Sequence, residues 1–309
     1  MVLTPYMAFR APCVPMPIAV ARTRSATMSG IAAKVGTLLV QSPHHKGIVS
    51  AISQLLAEHG ATIVDADHHA EAGRFYQRLR FDASMLVAGG LETRLRELAT
   101  RYGMTWRVTW GERPKRVAIL ASKQEHCLYD LLLRHRAGEL PCEIAMVISN
   151  HPDAAPIAAH FGVRFHHLPV TPMTKARQEA EMVTLLDGVD LVVLARYMQI
   201  LSPGLVRCFP SRIINIHHSF LPAFVGANPY RQAHERGVKV IGATSHFVTP
   251  ELDQGPIIDQ ETIPCTHRDT VEDLIRKGRD LEKRVLAAAV RWFLDDRILV
   301  HANKTVVFD

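Results

Sequence analysis

The 309-residue chain has no Cys-x-x-Cys pair, no apolar run long enough to cross a membrane, and no acidic residue before Glu58. Each absence closes off a class of protein. The five cysteines, Cys13, Cys127, Cys142, Cys208 and Cys265, are scattered. This argues against a structural zinc site or a disulfide framework and points to a reducing compartment, expected to be the cytoplasm. No apolar stretch approaches the roughly 18 residues that a spanning helix needs, so no membrane partner is expected. The missing N-terminal acids account for the net charge of +6: Arg10, Arg22, Arg24, Lys34 and Lys46 all precede Glu58, leaving 31 of the 36 basic residues against all 30 acidic ones beyond it. A folded part so nearly neutral offers no basic stripe, and no nucleic-acid partner is expected.

An apolar fraction of 48% over this length supports two folded units with cores of their own. Residues 1–35 hold Pro, Ser, Thr, Arg and small apolar residues without a helical or strand period. They are expected to be a disordered extension, a transit-like segment, or a leader ahead of a start at Met28. From Gly36 the pattern turns regular: a strand at Gly36–Val40, a helix at Gly47–His59 with Ile48, Val49, Ile52, Leu55 and Leu56 on one face, strands at Ala61–His68 and Arg74–Asp82, a helix at Leu91–Tyr102 stopped by Gly103, and a strand at Met104–Trp110. This βαββαβ order over residues 36–110 is that of a ferredoxin-like domain. The pairs His44-His45 and His68-His69 are not read as a metal site, and no metal is expected.

Gly111–Lys115 is a polar turn read as a linker. Residues 116–309 then alternate as a doubly wound, mostly parallel α/β sheet does: strands at Arg116–Ala121, Glu143–Ser149, Arg164–His167 and Leu191–Ala195, and helices at Glu125–Ala137, near Ala154–Phe161 and at Thr174–Leu186, with a long amphipathic helix at Thr270–Phe293. Unbroken apolar runs such as Val117-Ala118-Ile119-Leu120 fit strands buried on both faces. The first strand-to-helix turn, Ser122-Lys123-Gln124-Glu125-His126, has none of the glycines that let backbone N–H groups close on a phosphate.

Chemistry concentrates between Ile213 and Gln260. The strand end Ile213-Ile214 is followed by Asn215, His217, His218 and Ser219, and a second strand, Val238–Val248, leads to Asp253-Gln254-Gly255. An amide donates without titrating and suits a developing oxyanion; an imidazole donates or passes a proton; a carboxylate holds that imidazole or takes a proton from a nucleophile. No Ser or Cys nucleophile is required, so direct attack of water or an amine on a carbonyl is expected. His218 either shapes a water site or packs.

Asn215-Ile216-His217, Ser219-Phe220-Leu221-Pro222, Gly226 and Asp253-Gln254-Gly255 together resemble the catalytic domain of the folate-dependent formyltransferases. Within that group, His218 and Gly226-Ala227-Asn228-Pro229-Tyr230 resemble the hydrolytic branch, the formyltetrahydrofolate deformylases. The likeness runs from about Gly36 to the C-terminus. It implies 10-formyltetrahydrofolate as substrate and no prosthetic group, with Asn215 and His217 holding the oxyanion, Asp253 handling protons and His218 near the water. It also implies that Ala195–Pro203 binds folate, with Met198, Gln199, Ile200 and Leu201 about the pterin. Glycinamide-ribonucleotide formyltransferases, which the second domain also resembles, carry a Gly-rich phosphate turn where this chain has Ser122–His126, so water is the expected nucleophile. The alternatives are transfer to an amine acceptor or a non-catalytic folate or amino-acid sensor. The N-terminal βαββαβ unit resembles an ACT domain, with His44 near where that family often has Asp; it implies assembly into a homo-oligomer, with the module either binding an amino-acid effector as well or serving assembly alone.

Overall fold

A computed structural model describes residues 35–86, 90–222 and 229–308. The expected extension at 1–35 lies outside them except for Val35, as do Gly226, Ala227 and Asn228. The N-terminal part runs β1 (Val35–Pro43), α1 (Ile48–Glu58), β2 (Thr62–Glu71), β3 (Arg74–Asp82), α2 (Leu91–Tyr102) and β4 (Thr105–Trp110). Among the described residues these strands form an antiparallel sheet in the order β2-β3-β1-β4. Ile48, Ile52, Leu55 and Leu56 of α1 and Leu91 and Leu95 of α2 pack onto Leu38, Val40, Phe75, Leu79 and Phe81 of one sheet face. Spacing of three and four puts each set on one helical stripe, and each such side chain contributes roughly 1.5–3 kcal/mol on burial. Gly47 starts α1 at φ 85°, a left-handed backbone that favours glycine.

The second part follows as β5 (Lys115–Ala121), α3 (His126–Arg136), β6 (Cys142–Ser149), α4 (Ala155–His160), β7 (Phe165–His167), α5 (Lys175–Leu185), β8 (Leu191–Ala195), α6 (Pro203–Cys208) and β9 (Ile213–His217). It continues as α7 (Pro229–Arg236), β10 (Val240–Phe247), β11 (Ile257–Pro264) and α8 (Val271–Leu294). Among the described residues the sheet order is β11-β10-β9-β8-β5-β6-β7; β9, β8, β5, β6 and β7 run parallel, and β10 and β11 run antiparallel at one edge. Val117, Ile119 and Ala121 of β5 pack with α3, α4 and α8, while Ala118 and Leu120 pack with α5 and α6. Helices on both faces are the reason these strands read as apolar without alternation. α8 opens with a capping box, Thr270 and Asp273 each bonding the other's backbone N–H.

The short helices α6 and α7 and the edge strand β11 were not expected from the sequence, and two further features depart from the sequence expectation. β9 does not end at Ile214 but continues through His217, so Asn215 and His217 sit within a paired strand. Beyond α8, the hairpin β12 (Ile298–His301) and β13 (Lys304–Val307) returns the chain to the N-terminal sheet, where Phe308 packs on Leu39 and Tyr76. Arg78 reinforces this joint by donating to the carbonyls of Asp296 and Asp295 at 3.1 and 3.0 Å. No helix among the described residues is long and apolar enough to cross a membrane.

Candidate active site

Asn215 and His217 lie two apart in β9, so they leave the strand on one face while Ile214 and Ile216 enter the core on the other. β10 sets His246 opposite Asn215 and Thr244 opposite His217. The loop after β10 brings Asp253 back to the same face, at a left-handed φ of 54°. Gly255 lets that loop close, because a Cβ there would collide with the carbonyl oxygen of Phe247. The amide, imidazole and carboxylate singled out in the sequence are thereby gathered into one cluster.

The geometry assigns atoms. Asp253 Oδ2 lies 3.4 Å from His217 Nδ1, and its Oδ1 lies 3.6 Å from His246 Nε2. Asp253 is held well below the usual carboxylate range, first by the His217 N–H and then by His246, against the raising effect of burial. It is therefore an anion throughout the neutral range. With Nδ1 of His217 turned to Asp253, its Nε2 is buried and has no hydrogen-bond partner among the described residues. His246 Nδ1 meets the Phe247 carbonyl at 2.9 Å, and its Nε2, which faces Asp253, also lies 3.2 Å from Asn215 Nδ2. Asn215 Nδ2 carries two N–H groups, and this contact can engage one of them.

His218 packs beside His217 with ring centroids 5.1 Å apart. Burial, then the Arg196 and His217 charges, push its pKa down to about 4. It is thus a neutral imidazole at neutral pH, able to accept a hydrogen bond. Ser219 to Leu221 are pinned by Thr244, whose hydroxyl donates to the Ser219 carbonyl at 2.9 Å and accepts from Leu221 N at 3.1 Å. Gln260 Nε2 donates to both Thr244 Oγ1 and the Leu221 carbonyl, at 2.9 and 3.0 Å.

The Ala195–Pro203 segment divides. Met198 and Ile200 are 57% and 61% exposed, Gln199 is half-buried, and Leu201 turns inward to pack with Leu205 and Val206. Met198 N donates to Ser122 Oγ at 2.9 Å, and that hydroxyl donates to Asn150 Oδ1 at 2.6 Å, tying the segment to the end of β5. His246, Thr244 and Gln260 were not singled out from sequence. His246 carried a signal all the same, as an imidazole inside an apolar strand.

One further cluster has donor types suited to a metal: His126, Cys127 and Glu282 have ligand atoms within 4.8 Å of one another. The Arg196 guanidinium, however, stands 3.4 Å from the same carboxylate oxygen, placing a fixed positive charge where a cation would bind. Burial also pushes the Cys127 thiol well up, so it is not a thiolate.

Residues 115–290 match the family model described as Formyl transferase. The chain is 48% identical over 281 residues to the formyltetrahydrofolate deformylase of Bacillus subtilis, covering 89% of this chain and 94% of that protein. It superposes with a TM-score of 0.86 on the crystal structure of a formyltetrahydrofolate deformylase from Pseudomonas syringae, at 46% identity over 90% of this chain and 96% of the other. A glycinamide ribonucleotide transformylase from Symbiobacterium toebii matches at 37% identity and a TM-score of 0.61, but although 97% of it is matched it covers only 65% of this chain. The agreement with the deformylases extends through the N-terminal sheet as well as the catalytic one, and on that ground the chain belongs to the formyltetrahydrofolate deformylase family.

Proposed function

We propose that the chain hydrolyses 10-formyltetrahydrofolate to tetrahydrofolate and formate, using Asn215, His217 and Asp253 without a metal or prosthetic group. The observation that carries this reading is the buried Nε2 of His217, without a hydrogen-bond partner among the described residues and on the same face of β9 as the Asn215 amide. A buried polar nitrogen without a partner costs free energy unless a ligand satisfies it. With His217 protonated, its Nδ1–H on Asp253 and its Nε2–H left to donate, it joins the Asn215 amide in offering two donors to a formyl oxygen as it becomes an oxyanion. Water adds to the formyl carbon, giving up a proton toward Asp253, with neutral His218 accepting its second hydrogen bond. The bond from the formyl carbon to the folate nitrogen then breaks, and that nitrogen takes a proton, so formate and tetrahydrofolate leave together. Met198, Gln199 and Ile200 are assigned to the pterin, with Leu201 anchoring the segment from the core.

The test is to supply 10-formyltetrahydrofolate without any amine and follow both products. Stoichiometric tetrahydrofolate and formate are expected; substrate binding without release would reject hydrolysis. Asn215→Ala should lower kcat about a hundredfold or more while folate still binds. Near-wild-type turnover would remove Asn215 from the oxyanion site.

His218 gives a stability test. Its folded-state pKa lies near 4 and the ordinary value is 6.5, so the neutral form is favoured by folding. Its contribution is complete above the ordinary value and is lost as pH falls, because the unfolded chain takes up the proton first. Between about pH 7.5 and about pH 5 the loss should be on the order of 2 kcal/mol, read from urea midpoints, and His218→Asn should remove it. An unchanged pH dependence in that variant would show that His218 is not held neutral.

Residues 36–110 are assigned as an ACT-type domain, 111–115 as a linker and 116–309 as the catalytic domain, in a cytoplasmic homo-oligomer. The four-strand order supports the ACT assignment. Ser42 Oγ and Gln77 Oε1, buried without partners among the described residues near the start of α1, support a small polar effector such as an amino acid there.

A further inference from the structure

Open α/β sheets take ligands in the crevice beyond the strand ends where the strand order reverses. Here the chain runs outward from β5 through β6 to β7, then crosses back to β8 on the opposite side of β5. The reversal lies between β5 and β8, whose paired last residues, Ala121 and Ala195, are followed by Ser122 and Arg196. The next strand is β9, with Asn215 paired to Leu194 of β8. A second reactant held in this crevice would stand one strand away from the proposed formyl site.

The chain fills that place itself. Arg196, 5% exposed and at a left-handed φ of 61°, donates from Nε to Gln124 Oε1 at 3.1 Å and lies 3.4 Å from Glu282 Oε2. Glu282, 1% exposed, meets His126 Nε2 at 2.7 Å and accepts from the Tyr230 hydroxyl at 2.6 Å. Tyr230 in turn packs its ring on His218, with centroids 6.2 Å apart. Gly278 of α8 makes room for this, since a Cβ there would overlap the Tyr230 hydroxyl. Five side chains from the β5–α3 turn, the starts of α3 and α7, the end of β8 and the middle of α8 thus close on one crevice. Sheet packing does not require the two buried charges or the unfavourable Arg196 backbone.

We propose that this carboxylate-centred cluster determines acceptor specificity: it occupies the crevice where an amine would be held, and through Tyr230 it keeps His218 at the water. The inference rests on the hydrolytic reading of Asn215, His217 and Asp253. In the transfer reaction it prevents, an amine nitrogen would bond to the formyl carbon as the bond to the folate nitrogen breaks, and the amine's proton would pass to the folate. His126 and Gln124 line the crevice without being part of the catalytic set, so they can be cut back.

The experiment incubates the full chain with 10-formyltetrahydrofolate and glycinamide at mildly alkaline pH, measuring formate and formylated amine together. Wild type is expected to yield formate alone. His126→Ala and Gln124→Gly should each raise the ratio of formylated amine to formate about tenfold or more, in proportion to glycinamide concentration. Gln124 makes one hydrogen bond on a half-buried turn, so that variant keeps its fold and the test stands even if His126→Ala does not. Tyr230→Phe keeps the ring but loses the bond to Glu282, and should lower kcat several-fold at unchanged KM. Formate as the sole product of the folded variants, or equal transfer by wild type, would overturn the proposal. Absence of formate from wild type without amine would instead defeat the underlying reading.

Discussion

Asp253→Ala is expected to lose about three orders of magnitude or more in kcat, with tetrahydrofolate binding retained. This carboxylate faces two imidazoles at once, His217 at 3.4 Å and His246 at 3.6 Å. Its removal frees His217 to turn and, on the proposed mechanism, takes away both the aim of Nε2 at the formyl oxygen and the group that receives the water's proton. The two losses compound, because general-base catalysis alone is typically worth a hundredfold to ten-thousandfold. Asp253→Asn separates them: the amide keeps the size and one acceptor oxygen, but it carries no charge and turns an NH2 toward one imidazole. It should retain more activity than Asp253→Ala and still fall at least about a hundredfold short of wild type. Turnover near wild type in the alanine variant, with a normal unfolding midpoint, would show that the proton is handled elsewhere. Because Asp253 stays ionised far below neutral pH, the acid limb of the wild-type rate profile should not be set by its own protonation.

The two sheets were legible because burial on both faces of β5 and β8, and on one face of α1, leaves periodicities readable without partners. Asn215 and His217 stood out as polar side chains in an otherwise apolar strand, and Asp253 as a carboxylate in a glycine-containing turn; the structure brings the three to one face. His246 was not, because its role depends on the register that sets it opposite Asn215, and register is a non-local property. Glu282 was hidden by its helix. A charged residue in a 24-residue amphipathic segment reads as solvent-facing, and only the packing of α8 against α3 and α7 places it inside. α6 did carry a local signal, Ser202 as a cap accepting from Leu205 N at 3.3 Å with Pro203 next, but it is only six residues long and lacks a full apolar stripe. The C-terminal hairpin turns through Ala302 at φ 50°, without the glycine that marks such a turn.

Glu282→Ala is the variant expected to cost the most stability. Burial pushes the Glu282 carboxyl up, but the His126 bond and the Arg196 charge overcome it, and the group ends below its ordinary range. It is therefore a buried anion, and the substitution strands three partners. Arg196 loses its counter-charge while 5% exposed, His126 loses its acceptor, and the Tyr230 hydroxyl is left to donate to nothing. Removing one side of a buried pair costs about 3–5 kcal/mol, most of it from the charge left behind rather than from the pair's own attraction. That distinction is testable within the same cluster. Glu282→Gln keeps an acceptor oxygen for Tyr230 or His126 and loses only the charge opposite Arg196, so a smaller loss, roughly 1–3 kcal/mol, is expected. Adding Arg196→Met to Glu282→Ala should recover part of the loss, since the stranded charge goes with it. Urea unfolding at neutral pH measures all three. If the double variant were no more stable than Glu282→Ala, the cost would lie in packing, and the cluster would be a structural plug rather than a balanced pair of charges.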